Sequence, residues 1–473
     1  MNYVIKYYDA YPKVIKTNTP STINVKPRGV RQFSNVEHRI TVSALSEGGT
    51  RCFPDRKIGN AEFKATPDEN GVLSFTYDFP LEGEYFIRIF NGDSRILQHN
   101  VFAVNEDLAG RIPRIGDLHL HSCRSDGHEL PETVAANYRA FGYDFLALTD
   151  HHRYYPSLEA IYSYKDVDHA LTMVPGEEVH MSRNFVHIIN FGGKFSINAL
   201  IKDTFPTQAE IDNLPRPGVT KEDVAKFALR AVNEADCPEQ MTHQEFYAKV
   251  EELAKTLDIP DCINNDVERF MYAACVWEFN KIREADGLAI FAHPYWISDM
   301  FQLSESFTDY MLKQHPFDAF EVLGGERYYE QNGFQTAKYY STRSEGYDYP
   351  IVGSTDSHSS NSENAGAYVA RTMVFPFENE RKSLINAIKD KYTVAIDGIL
   401  AEPRLVGDFR LIKYAWFLLE NYFPLHDKIA CEDGRAMAEY SLADNPEDKE
   451  FYARRIAECK QEMKRLEEKY FSF

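Results

Sequence analysis

The stretch IGDLHLHSCRSDG, residues 115–127, joins a short apolar run to an H-x-H pair and a polar loop. The next residues, ETVAANYRAFG (132–142), have a helical pattern, and YDFLALTDHH (143–152) is a second apolar run that ends in ionisable residues. A repeated order of strand, loop and helix is typical of a β/α barrel or a wound sheet. The stretch therefore predicts an α/β domain that begins near residue 113.

Five further apolar runs continue this pattern toward the C-terminus. They are TMVPGEEVHM (172–181), NFVHIINFGG (184–193), GLAIFAHP (287–294), AFEVLGG (319–325) and YPIVGSTDSH (349–358). Polar and ionisable residues gather at their C-terminal ends, where β/α barrels carry their catalytic groups. Between about 204 and 284 the sequence predicts a helical insertion placed like a lid, with capping-box pairs Thr220–Asp223 and Thr242–Glu245.

The two flanks of this domain have different patterns. Residues 1–112 contain short alternating runs such as HRITVSAL (38–45), which predict an all-β sandwich of immunoglobulin-like size. Residues 401–473 predict a helical C-terminal segment, and the α/β domain then covers 113–400. The last helix carries an apolar stripe that predicts a packing face, either within the chain or in a homo-oligomer: Ile456, Cys459, Met463, Leu466 and Tyr470.

Composition excludes several classes of protein. The 473 residues are 44% hydrophobic and 26% charged, as in globular proteins. A formal charge of -20 argues against long duplex nucleic acid as a partner. The start MNYVIKYYDAYPKV has no signal-peptide pattern, and the sequence has no apolar run of membrane-spanning length, so we expect a cytoplasmic protein without a membrane partner. Seven cysteines without a C-x-x-C pair argue against a disulfide framework.

Histidines and carboxylates stand two residues apart at two predicted strand ends. His119 and His121 leave the same face of one strand, so both can reach one metal ion. The same arrangement recurs as Asp356 and His358. Five further candidate ligands lie between these pairs: Asp126, His151, Glu178, His187 and His293. The nine residues predict a metal cluster, although His187 could also be a hydrogen-bonded core histidine.

The ordered motifs H-x-H-x4-D-G, L-T-D-H, G-x-E, an isolated His, A-H-P and D-x-H resemble the polymerase and histidinol phosphatase (PHP) family of metal-dependent hydrolases, over residues of about 113–400. The resemblance implies a distorted seven-stranded barrel, (βα)7, with three divalent metal ions at its C-terminal rim. Carried over by position, one metal takes His119, His121, Glu178 and Asp356. A second shares Glu178 and takes His187 and His293, and the third takes Asp126, His151 and His358. Such ligands suit Zn, Mn or Fe.

The resemblance and the ligand set together predict hydrolysis by a metal-bound hydroxide, without a protein nucleophile. The predicted substrate is a small phosphomonoester or a nucleotide. A β domain before the barrel and the sequence PGEEVH (175–180) also resemble the carbaryl-hydrolase branch of the superfamily. Hydrolysis of a carbamate, amide or ester is therefore an alternative function. A non-catalytic, metal-binding recognition protein is the alternative from another class.

Individual roles follow from position in the sequence. Glu178, as the bridging ligand, and Asp356 are the predicted catalytic carboxylates, and Asp150 is predicted to orient a ligand. His152 could donate a proton to the leaving group or have a structural role. Three residues beside the ligands are candidate substrate contacts: Arg124, Arg183 and His180.

Overall fold

The computed structural model describes residues 7–47, 58–202, 229–259, 266–297, 299–325, 329–360, 366–399 and 402–473. Parts of the predicted insertion, among them the pair Thr220–Asp223, lie outside the described residues. The chain divides into two units. Unit 1 contains Met1–Ile112, Phe409–Ile429 and Lys460–Phe473, and unit 2 contains Pro113–Asp408 and Ala430–Cys459. None of the described helices is both long and apolar enough to cross a membrane.

The N-terminal part of unit 1 consists of strands, as the alternating sequence predicts. They are β1 (Tyr8–Tyr11), β2 (Val14–Lys16), β3 (Pro20–Pro27), β4 (His38–Ala44), β5 (Asn60–Ala65), β6 (Leu73–Asp78), β7 (Gly83–Asn91) and β8 (Ser94–Val104). One sheet has the order β1-β3-β6, and the other contains β2-β8-β7-β4-β5. In β4 every second side chain is buried. One hydrophobic cluster takes residues from both sheets, including Ile23, Val25, Ile40 and Ile87.

Unit 2 is a mixed α/β structure, and each predicted apolar run contains a strand. The strands are β9 (Arg114–Asp117), β10 (Phe145–Leu146), β11 (Thr172–Met173), β12 (Gly176–Val179), β13 (Ile188–Phe191), β14 (Leu288–Phe291), β15 (Ala319–Leu323), β16 (Ile351–Gly353), β17 (Ala370–Val374), β18 (Thr393–Asp397) and β19 (Arg404–Gly407). The run TMVPGEEVHM forms two strands, β11 and β12, because Pro175 has no N–H to continue a ladder.

These strands form two sheets, with the orders β11-β10-β9-β17-β18-β19 and β12-β13-β14-β15-β16. Strand β13 is antiparallel to both of its neighbours, and β14, β15 and β16 are parallel. Two isolated bridges connect the sheets, one between Leu120 and Ser357 and one between His151 and Glu178. Both bridges involve residues next to, or among, the candidate ligands.

Seven described helices of unit 2 lie between its strands in the chain. They are α1 (Pro131–Ala140), α2 (Tyr155–Ser163), α3 (His243–Thr256), α4 (Asp266–Glu284), α5 (Glu305–Gln314), α6 (Tyr329–Ser344) and α7 (Arg381–Lys389). The capping box predicted before α3 is confirmed: the N–H of Glu245 donates to Thr242 Oγ1, and the N–H of Thr242 donates to the Glu245 carboxylate. Helices α3 and α4 belong to the predicted insertion.

The C-terminal residues are divided between the units. Helices α8 (Phe409–Asn421), α9 (Phe423–Leu442) and α10 (Pro446–Tyr470) are followed by β20 (Phe471–Ser472). In unit 1, β20 pairs with β2 in parallel and becomes the edge of its sheet. The ring of Phe102 lies 4.9 Å from that of Tyr414, in α8. The predicted apolar stripe of α10 is a packing face, since all its members except the half-buried Leu466 are buried.

Candidate metal centre

The two motifs with ligands two residues apart lie side by side. The N–H of His121 donates to the Ser357 carbonyl, and the N–H of Asp356 donates to the His119 carbonyl, each at 3.0 Å. These bonds extend the parallel bridge at Leu120 just beyond β9 and β16. Because side chains alternate along an extended chain, His119 and His121 leave one face together. The backbone thus brings the H-x-H and D-x-H pairs to one place.

Glu178, at the buried end of β12, occupies the centre of the candidate ligands. Its Oε2 lies 3.3 Å from His119 Nε2 and 2.7 Å from His151 Nδ1. Its Oε1 lies 2.7 Å from His187 Nδ1. The carboxylate therefore presents each oxygen to a different set of imidazoles.

Among the described residues, five groups of side chains have ligand atoms close enough to hold a metal ion, and three of them are made up of the ligands predicted from the sequence. The first is His119, His121, Glu178 and Asp356, all buried. The second is Glu178, His187 and His293. The third is His121, Asp126, His151 and His358. Together they contain all nine of the ligands predicted from the sequence, and they add His121 to the third group.

Distances within the groups are those of converging ligands. Asp356 Oδ1 lies 2.9 Å from His121 Nε2 and 3.2 Å from His119 Nε2. Asp126 Oδ2 lies 3.3 Å from His358 Nε2 and 3.5 Å from His151 Nε2. The half-exposed Asp126 side chain places the third group nearer to solvent than the fully buried first group.

Several of these atoms fit a metal better than a hydrogen bond. In the described part of the chain, both oxygens of Glu178, Nε2 of His119 and Nε2 of His293 are buried without a partner in hydrogen-bond geometry. This is so although imidazole nitrogens lie as close as 2.7 Å to the Glu178 oxygens. Buried polar atoms are ordinarily satisfied. These oxygen and nitrogen atoms lie close together but are not aligned for hydrogen bonds with one another. A cation bound among them would satisfy them as ligands.

Charges and burial in the cluster hold two of its carboxylates ionised and His293 neutral. In contrast, Asp356 raises the pKa of His119, and Glu178 raises that of His151, against the effect of burial. Burial raises the pKa of the Glu178 carboxyl, but His151 and His187 outweigh it and hold that pKa well below its usual value. Burial also opposes ionisation of Asp356, and His119 overcomes it, so its pKa is lowered as well. Burial lowers the pKa of His293 to about 3. Ionised carboxylates and a neutral imidazole are the forms that bind divalent cations.

Three buried carboxylates next to the candidate ligands accept hydrogen bonds from the surrounding backbone and side chains. Asp150 accepts hydrogen bonds from the N–H and hydroxyl groups of Ser122 and Ser125, so it shapes the loop that carries Asp126. Asp117 accepts from the N–H groups of His119 and Thr355 and so ties the two ligand strands together. Glu177 points away from its neighbour and accepts from four groups: Asn190, Ser196, Ile197 and Asn198.

Two further carboxylates of the site could not be assigned from motifs. Asp117 lies two residues before His119, and Glu321 lies in the middle of β15. Glu321 forms a candidate group with His119 and His293. The signal available in the sequence was a single charge within an otherwise apolar strand, which costs free energy unless the charge has a partner.

The predicted substrate contacts have different surroundings. Arg124 is buried, and its Nε donates to Glu159 Oε2 at 2.8 Å. The guanidinium of Arg183 lies 4.2 Å from the ring centroid of Phe270, and its side chain is about half exposed. His180 belongs to the cluster, with Nε2 3.3 Å from Glu178 Oε1.

His152, the candidate proton donor, is held at the edge of the cluster by its backbone. Its N–H donates to the Glu178 carbonyl at 3.1 Å, and its φ of 59° turns the chain there. The ring centroid lies 4.7 Å from that of His180. Burial, and after it the neighbouring His151, lowers the pKa of His152 to about 4.

Comparison with known proteins finds similar solved structures. A two-domain protein from Bacteroides vulgatus, which contains a predicted PHP-like metal-dependent phosphoesterase, is 15% identical with a TM-score of 0.35, and the match covers 60% of this chain and 65% of that one. An amidohydrolase from Chromobacterium violaceum is 17% identical with a TM-score of 0.29, over 53% of this chain and 89% of that one. No family model and no curated protein matches the chain. This chain spans about two thirds, 65%, of the length of the Bacteroides protein.

Proposed function

We propose that this protein is a PHP-type metal-dependent hydrolase that acts on a small phosphomonoester or a nucleotide. The observation that carries the proposal is the position of Glu178 between two groups: its Oε2 lies 3.3 Å from His119 Nε2 of the first group, and its Oε1 lies 2.7 Å from His187 Nδ1 of the second. A bridging carboxylate is the usual link between cations that share a hydrolytic site. The groups around it support three divalent cations, and their nitrogen and oxygen ligands suit Zn, Mn or Fe.

The residues of the chain have distinct parts in this proposal. Glu178 and Asp356 hold the cations together and offset their charge. Divalent cations at such a site lower the pKa of water and polarise the bond to be cleaved. His152 stands beside the cluster and is the group proposed to move a proton at the leaving group. The half-exposed guanidinium of Arg183 is the group proposed to bind an anionic substrate.

The proposal extends to the fold. Bridges at Leu120 and His151 complete a ring of neighbours in the order β9-β10-β12-β13-β14-β15-β16. This ring supports a distorted seven-stranded barrel, with the ligands at one end of its strands. The common core of the two sheets in unit 1 supports an immunoglobulin-like sandwich. None of the five described cysteines forms a disulfide, which supports a cytoplasmic location.

A metal analysis followed by a hydrolysis panel tests the function. We expect bound divalent metal, loss of activity with a chelator, and faster hydrolysis of phosphomonoesters than of phosphodiesters, carbamates or aryl esters. Inorganic phosphate should inhibit competitively. In Arg183→Ala, kcat/KM for the best phosphomonoester should fall at least about tenfold, while hydrolysis of a neutral aryl ester, the internal control, stays unchanged.

Two results would replace the proposal. A neutral carbamate or ester as the best substrate, without inhibition by phosphate, would favour the carbaryl-hydrolase-like alternative. A fully metal-loaded protein without turnover of any substrate would favour the recognition protein.

A further inference from the structure

Glu321 is a buried charge beside the candidate metal centre, and no motif includes it. It lies in β15, whose five residues are all buried, between β14 and β16. Its side chain is inaccessible to solvent. Glu321 Oε2 lies 3.0 Å from His119 Nδ1 in hydrogen-bond geometry, and no described group partners Oε1.

The local backbone is built to admit this carboxylate. A Cβ atom on Gly324 would lie 1.5 Å from Glu321 Oε1, so any other residue at 324 would collide with the carboxylate. A glutamate in an apolar strand costs free energy unless it is hydrogen-bonded or paired with charge. The space made for Glu321 and its bond to His119 together offset that cost.

The two nitrogens of His119 face opposite sides. Nδ1 faces Glu321, whereas Nε2 lies 3.3 Å from Glu178 Oε2 and 3.2 Å from Asp356 Oδ1. A neutral imidazole has one N–H and one lone pair. A carboxylate that accepts the Nδ1 proton leaves the lone pair at Nε2, directed at the other ligands.

From this geometry we infer that Glu321 is a positioning residue, which fixes the tautomer and the ring orientation of His119 for metal binding at Nε2. The inference rests on the proposed metal centre but not on the reaction proposed for it. A direct ligand role for Glu321 is the competing assignment, because its oxygens also lie near His293 in one candidate group. The hydrogen bond with Nδ1 favours positioning, because an imidazole that donates its Nδ1 proton to Oε2 keeps the lone pair of Nε2 for a metal.

Two substitutions separate these roles. In Glu321→Gln the amide oxygen can still accept the Nδ1 proton, but the charge is gone. In Glu321→Leu both are gone. We expect affinity for Zn²⁺ to fall about 10- to 100-fold in Glu321→Leu, and clearly less in Glu321→Gln. Affinity is measured by competition with a chromophoric chelator.

NMR of the zinc-loaded protein, labelled with ¹⁵N in its histidine rings, gives a readout that a merely structural role would not change. His119 should carry its proton on Nδ1 in the wild type and in Glu321→Gln. Equal losses of affinity in both variants, or a proton on Nε2 in the wild type, would overturn the inference. So would wild-type affinity in Glu321→Leu. A wild-type protein that binds no metal would instead refute the proposed centre itself.

Discussion

Glutamine in place of Glu278 should make the stability of the protein less dependent on pH. Glu278 lies in α4 and is fully buried. Its Oε1 accepts a hydrogen bond from Asn184 Nδ2 at 2.9 Å, and no described group partners Oε2. Burial raises the pKa of this carboxyl from 4.5 to about 8, against the smaller opposing effect of Asn184. At neutral pH the group is therefore protonated in the folded protein.

The sign and size of the effect follow from proton linkage. Below pH 4.5 the carboxyl is protonated in both states, and its contribution to stability is complete. As the pH rises from 4.5 toward 8, the unfolded chain releases this proton while the folded chain keeps it. The free energy of unfolding then falls by about 1.4 kcal/mol per pH unit from this group, and by at most about 5 kcal/mol over the whole window. Glutamine does not titrate, so Glu278→Gln should escape this loss.

The assay is urea unfolding at pH 5, 6.5 and 8, followed by tryptophan fluorescence, for the wild type and for Glu278→Gln. Trp277 on the same helix reports locally. The matched control is Glu284→Gln, also in α4, whose side chain is 55% exposed. The difference between wild type and Glu278→Gln should shift with pH in favour of the variant, and the control should show no such shift. The same difference at pH 5 and at pH 8 would refute the reasoning.

Two other predictions test the site and its surroundings. Glu178→Gln should abolish both metal content and activity, because an amide neither bridges cations nor offsets their charge. The control Glu177→Gln should keep its metal but unfold at a lower urea concentration, since the Glu177 carboxylate accepts hydrogen bonds from four groups. Equal metal loss in both variants would contradict the assignment. Arg124→Met should lower stability by about 3 to 5 kcal/mol in urea unfolding, because it leaves Glu159 buried without its partner, and the double variant with Glu159→Leu should recover much of it. If Arg124→Met instead raises KM and leaves the free energy of unfolding unchanged, Arg124 is a substrate contact, as the sequence predicts.

Spacing along a strand predicted which candidate ligands share a face. His119 and His121 share a face because strand geometry has a period of two, and the same rule placed His180 beside Glu178, where the structure has it. Contacts between side chains on different strands follow no such rule, because the partners are far apart in the sequence. The ion pair of Arg124 with Glu159 spans 35 residues, and nothing near Arg124 in the sequence indicates it. Glu321 was missed for the same reason, since its partner His119 is 202 residues away.

The division of the chain shows the same limit. An amphipathic pattern predicted helices after residue 401, but periodicity does not say which sheet a helix packs against. Thus Tyr414 contacts Phe102, at the end of β8, only through the tertiary fold.

The pairing of β20 with β2 sets an order of events during synthesis. Ribosomes extend a chain from its N-terminus, so β2 emerges long before Phe471, its neighbour in the sheet, has been translated. Until then the Val14–Lys16 edge has open N–H and C=O groups, which can pair with other nascent chains. Bringing the two segments together across so long a chain adds little cost, because each doubling of loop length adds only about 0.6 kcal/mol of closure entropy. The risk of pairing with other chains therefore lasts only until β20 has been synthesised. In a fragment that ends at Ile112 the edge of β2 would stay unpaired.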